Sequence, residues 1–154
     1  MTITIEVFLI AKEKIQSAVY TRRYIYNFHY HLIWATKYRY QTFSTKELVD
    51  EMKDILRMVA KDNEIVIEKM EVMPDHVHVL ISFPPSKAPT SAIKALKGRS
   101  AFIFLKRHPE IRQSQYWGGH LWSPSYYMSK DVVENYINNQ KYNALQKKKR
   151  PNGR

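Results

Sequence analysis

Residues 64–83, "EIVIEKMEVMPDHVHVLISF", constrain the fold more than any other stretch of the chain. Ile65, Ile67, Lys69 and Glu71 alternate in type over 64–73, as in a half-buried strand. Residues 75–83 form a second strand-like run, and "PDH" between the two predicts a tight hairpin turn. The chain is thereby committed to an antiparallel sheet. The second run carries an oddity, because two histidines, His76 and His78, stand two residues apart among valine, leucine and isoleucine.

Elements on either side complete the pattern. Residues 24–38, "YIYNFHYHLIWATKY", are aromatic and β-branched and read as one long strand. Ser44 and Glu47 in "STKE" form a capping box for a helix whose Leu48, Met52, Ile55, Leu56 and Val59 recur at helical spacing. Pro84, Pro85 and Pro89 bracket a loop. Residues 90–107 read as a second helix, with Ile93, Leu96, Ser100, Ile103 and Phe104 on one face and Pro109 as its stop. "HLWSPSYYM" is expected to be a short strand that Pro124 confines to an edge. Ser129 is expected to cap a last helix, "SKDVVENYINNQKYNALQ". The order β-α-β-β-α-β-α is that of an α+β, ferredoxin-like fold, an antiparallel sheet with two helices on one face, plus a C-terminal helix. Neither a repeat nor a long linker interrupts it, so 17–146 reads as one domain, between an extension of unknown role (1–16) and a basic tail (147–154).

At 154 residues, 44% of them apolar, the chain can bury a core. It has no cysteine, which excludes disulfides, thiolate metal sites and cysteine nucleophiles. Val7–Ala11, the longest apolar run near the N-terminus, is too short for a signal peptide core or a membrane span, so a soluble, cytoplasmic protein is expected. The formal net charge is +11. Arg22/Arg23, Lys37/Arg39 and Lys94, Lys97, Arg99, Lys106, Arg107 form clusters, and from residue 135 onward every charged residue is basic. Together with eleven tyrosines and three tryptophans, this balance points to a nucleic acid partner.

Alternation puts His76 and His78 on one face of their strand, where two imidazoles can hold one divalent metal. His29 and His31 offer the same spacing on the first strand, and the pattern alone does not choose between the pairs. On the last helix Tyr136 and Gln140 are four apart and stack on one face. A tyrosine beside a metal-binding amide suggests a nucleophile delivered to a metal-polarised phosphate, since phenol with a free pKa of about 10 needs activation.

"MPDHVHVLI" followed by "YINNQ", with "YHLIWATKYR", "LKGRSA" and "LWSPSYY" in order, resembles the single-tyrosine His-hydrophobic-His (HUH) transposases of the insertion-sequence 200/605 family. The resemblance spans about residues 17–143 and favours His76/His78 over His29/His31. It implies that His76, His78 and Gln140 bind Mg²⁺ or Mn²⁺. It implies further that Tyr136 attacks single-stranded DNA to give a 5′-phosphotyrosine and a free 3′-hydroxyl, and that rejoining reverses the step. Obligate homodimers with composite sites, and recognition of DNA hairpins, are also implied. Tyr38, Arg39, Lys94, Lys97, Arg99 and Trp122 are candidate DNA contacts. Tyr126 and Tyr127 are rival nucleophiles but lack a glutamine four residues on. Only Met128 separates Tyr127 from Ser129, where many relatives have a longer, glycine-containing loop, and a shorter hinge would limit the reach of Tyr136. Two other functions compete: a non-catalytic single-strand-binding module, and a phosphodiesterase using water with Tyr136 merely structural.

Overall fold

The computed structural model describes Val19–Tyr20, Ile25–Tyr26 and residues 29–131. The chain divides into two units, one of Met1–Phe28 with Val132–Arg154 and one of His29–Asp131. In the first unit the described residues are two short antiparallel strands, β1 (Val19–Tyr20) and β2 (Ile25–Tyr26), with Val19 opposite Tyr26.

The second unit begins with β3 (His29–Ala35), a 3₁₀ turn at Lys37–Arg39, and helix α1 (Lys46–Asp62). The hairpin β4 (Val66–Met73) and β5 (His76–Ser82) follows. A helical stretch then runs through α2 (Pro89–Lys94), a π-helical turn at Ala95–Arg99, and α3 (Ser100–Arg107). Helix α4 (Pro109–Gln115) and strand β6 (Tyr127–Asp131) close the unit. The four strands stand in the order β4-β5-β3-β6, every neighbour antiparallel. This is the expected ferredoxin-like α+β arrangement.

The core lies on one face of this sheet. Leu32 and Trp34 from β3, Val77, Val79 and Ile81 from β5, and Val72 from β4 meet Met52, Ile55, Leu56 and Val59 of α1 and Leu96 and Phe104 of the second helical stretch. Alternation sends His29, His31, Ile33 and Ala35, and likewise His76, His78 and Leu80, to the other face.

Several local expectations are corrected. The strand expected at 24–38 ends at Ala35: β2 pairs with β1 in a sheet of its own, and Tyr38 and Arg39 take positive φ (63° and 57°) in the turn beyond β3. The α1 cap is Thr45, not Ser44, and its side chain accepts from the Leu48 amide. Alternation in β4 breaks between Ile67 and Lys69, where a bulge shifts the register. Ile67 therefore pairs with Ile81 while Met70 and Val72 take the later inward positions. Pro109 does not merely end a helix, because it opens α4 at a position where its missing N–H costs nothing. The last strand is not "HLWSPSYYM": Trp122 makes a single bridge to Thr36, and β6 begins at Tyr127. Ser129 is consequently a strand residue opposite His31 rather than a helix cap, and Met128, opposite Leu32, is not a hinge.

Candidate functional site

The histidine pair owes its position to the β4–β5 turn. Pro74 and Asp75 make that turn, and four backbone groups tie it to the segment leaving β3. The Thr36 amide donates to the Asp75 carbonyl (2.9 Å), and the Phe43 amide donates to the Pro74 carbonyl (3.1 Å). Thr36 Oγ1 donates to the Tyr40 carbonyl at 2.8 Å, holding the strained loop shut. With φ positive at two successive non-glycine residues, this loop adopts a conformation L-residues seldom take, and it places Arg39 over the turn.

Asp75 bridges two groups there. Its Oδ2 accepts from Arg39 Nε at 3.0 Å, and its Oδ1 lies 2.8 Å from His76 Nδ1. The hydrogen bond with His76 holds the Asp75 carboxyl below the usual carboxylate range; partial desolvation opposes it, and the bond to Arg39 and its charge add to the lowering. An ionised carboxylate only accepts, so Nδ1 of His76 is the donor, and in the neutral ring Nε2 is the nitrogen that carries the lone pair. That tautomer is the one a metal-binding imidazole needs, with a carboxylate behind it to fix the ring.

His78 lies on the same face, half-buried, and its Nε2 is 3.3 Å from His31 Nδ1. The rival pair is thereby split: His31 joins the His76/His78 face as a neighbour, while His29 is 8% exposed at the far end of the strand. Two imidazoles on one face, one of them held at Nδ1 by a carboxylate, are donors of the type a divalent cation takes but fall short of a full donor set. Among the described residues no group of three His, Asp or Glu side chains is arranged to hold a metal ion. Gln140 and Tyr136 lie outside the described residues.

The expected DNA contacts separate by burial. Tyr38 is 67% exposed with Lys37 Nζ 5.2 Å from its ring centre. Arg39, Lys94 and Arg99 are exposed. Lys97 is half-buried; its ammonium donates to the Ser123 carbonyl (2.7 Å) and the Ser125 carbonyl (3.3 Å), and burial pulls its pKa down. It clamps the segment before β6, a job the π-helical turn suits by widening the helix at that point. Trp122, a candidate DNA contact, lies in the core. It is 6% exposed, stacks on Phe43, meets Trp34 edge-on, and donates its indole N–H to Ser100 Oγ. Sequence reading passed over Asp75 and Thr36, although Asp directly before the first histidine was a legible sign.

Opposite the turn, Tyr126 and Tyr127 share a groove of about 420 Å³ with His76 and Arg39. Among the described residues no helix is long and apolar enough to cross a membrane.

Residues 24–140 match the family model described as "Transposase IS200 like". The ISDra2 transposase TnpA of Deinococcus radiodurans is 48% identical over 105 residues, covering 68% of this chain and 74% of that protein. The transposase for insertion sequence element IS200 of Salmonella typhimurium is 27% identical over 130 residues, 81% of this chain and 82% of that one. A crystal structure described as a candidate transposase of Deinococcus radiodurans R1 superposes with a TM-score of 0.66 at 40% identity, covering 83% of this chain and 97% of that one. A REP-associated tyrosine transposase bound to a REP hairpin shares the fold alone, with a TM-score of 0.50 at 16% identity over 79% of this chain and 67% of that one.

Proposed function

The chain belongs to the IS200-like transposases, and from that premise we propose that it cuts and rejoins single-stranded DNA through a covalent bond to Tyr136. The observation that carries this reading is the Asp75–His76 contact of 2.8 Å beside His78 on one sheet face. A carboxylate-oriented imidazole next to a second imidazole supports a cation site, because metal-binding histidines commonly have such a carboxylate behind them. His76 and His78, with Gln140, would hold Mg²⁺ or Mn²⁺. Such an ion, when bound, polarises a phosphate oxygen and orients the phosphodiester.

The phenol oxygen of Tyr136 attacks the phosphorus and loses its proton. The bond from phosphorus to the 3′ oxygen breaks, and that oxygen leaves as a 3′-hydroxyl. The downstream strand is then held as a 5′-phosphotyrosine. Attack by another 3′-hydroxyl restores a phosphodiester and frees the tyrosine, so the bond energy is conserved and no nucleotide cofactor is consumed. Arg39, Lys94 and Arg99 supply backbone charge, and Tyr38 supplies a stacking face. Recognition of DNA hairpins, a homodimer with composite sites, and action in the cytoplasm belong to the same proposal.

The test is a denaturing gel of the full chain with Mn²⁺ or Mg²⁺ and labelled single-stranded DNA from the ends flanking its gene. A slow, protease-sensitive band is expected from the parent and from Tyr127→Phe, and none from Tyr136→Phe. Cleavage that persists in Tyr136→Phe without a covalent band would make the protein a water-using nuclease. Tight binding with no cleavage would leave a binding module.

A further inference from the structure

Tyr127 opens β6 directly opposite Ile33, and Ile33 lies opposite His78. Paired residues of neighbouring strands point to the same face, so the Tyr127 ring shares the face of the histidines, two strand spacings or about 10 Å from His78. The ring is 60% exposed and adjoins Tyr126, itself 43% exposed. Between the tyrosines and the histidine edge lies the 420 Å³ groove, with Ile33 and Ala35 on its floor and His76 and Arg39 on its far side. The volume falls in the range of sites that take one small planar ligand.

The groove is built rather than incidental. Lys97 fixes its tyrosine wall at two points, the Ser123 and Ser125 carbonyls, and its ammonium lies 5.5 Å from the Tyr126 ring centre. The Ser123 amide donates to the Ala35 carbonyl at 2.9 Å, tying that wall to the floor. On the far side Arg39 spends Nε on Asp75, while its side chain stays 68% exposed. Its remaining N–H groups are available to an anion. The groove thus offers an apolar floor, a π face and a fixed cation, all next to His76, which suits a base on its sugar-phosphate.

We propose that this groove receives one unstacked nucleobase of the DNA strand adjoining the phosphate to be cut, with Tyr127 as the stacking face and Arg39 on the neighbouring phosphate. The proposal rests on the strand-transfer reading above and adds a position at which the strand is read and aligned. Tyr127 is a positioning residue: it acts through the base it stacks on, and its hydroxyl takes no part.

The test is a coupling measurement on the full chain. Single-stranded oligonucleotides spanning the DNA that flanks its gene are made abasic at one position at a time, and affinity and covalent adduct are measured for the parent, Tyr127→Phe and Tyr127→Ala. In the parent and Tyr127→Phe, one position next to the cleaved phosphate is expected to lose about five- to a hundredfold in affinity when its base is removed. In Tyr127→Ala, removal of that base is expected to cost nothing further. Tyr127→Leu, which keeps apolar volume without a π face, repeats the cycle if the alanine variant does not fold. An abasic penalty as large in Tyr127→Ala or Tyr127→Leu as in the parent overturns the pocket while leaving strand transfer intact. Loss of adduct in Tyr127→Phe overturns it too, by making the hydroxyl chemical. A parent that forms no adduct on any of these oligonucleotides overturns both readings.

Discussion

One carboxylate decides how His76 presents itself. Asp75 accepts from His76 Nδ1 and from Arg39 Nε, so it sets a tautomer and locates a cation at once. Its backbone carbonyl is held separately by Thr36, which lets the side chain be removed without releasing the turn. Asp75→Ala is therefore expected to weaken Mn²⁺ binding about 10- to 100-fold, the usual cost of losing such a partner. Isothermal titration of the full chain with Mn²⁺ measures it, alongside a melting curve that should move little. Unchanged affinity would mean the contact does not prepare the histidine for a metal. The aspartate was visible in "MPDHVHVLI", but sequence alone could not place it. Its role depends on Arg39 arriving through a loop with two positive φ values, and nothing in "TKYRYQ" predicts that geometry.

At the scale of elements, what was periodic in the sequence was legible. The α1 face, the β4–β5 hairpin and the helical stretch from Pro89 to Arg107 follow from spacing and punctuation. What went astray was decided by partners distant in sequence. Trp122 reads as a candidate DNA contact on a tyrosine-rich edge strand, yet Trp34, Phe43 and Ser100 enclose it. The run 120–128 reads as a strand, yet β3 pairs with 127–131 instead, which puts Leu32 opposite Met128. These assignments separate in the laboratory. Trp122→Ala is expected to cost about 3–5 kcal/mol of stability, as for other buried tryptophans, measured by urea unfolding. Arg99→Ala, at an exposed residue, should leave the unfolding midpoint in place. It should lower the slope of log affinity for single-stranded DNA against log salt by about 0.7, the value of one phosphate contact. A Trp122→Ala protein of parental stability that binds DNA poorly would reverse the two assignments.

Across the whole molecule, fold and family agree. A ferredoxin-like sheet puts its core on one side and turns its histidines to the other, and the chain matches the IS200-like transposases over residues 24–140. The sheet supplies a rigid plane bearing His76, His78 and a tyrosine-walled groove. The nucleophile proposed above, Tyr136, lies outside the described residues. The central claim is that this residue and no other tyrosine takes up the DNA strand. The most direct measurement is to trap the covalent adduct formed with metal and single-stranded DNA, digest it, and locate the modified peptide by mass spectrometry. The account predicts a nucleotide 5′-phosphate on Tyr136, with Tyr126 and Tyr127 unmodified. A phosphonucleotide on Tyr126 or Tyr127, or cleavage with no modified tyrosine, would contradict it.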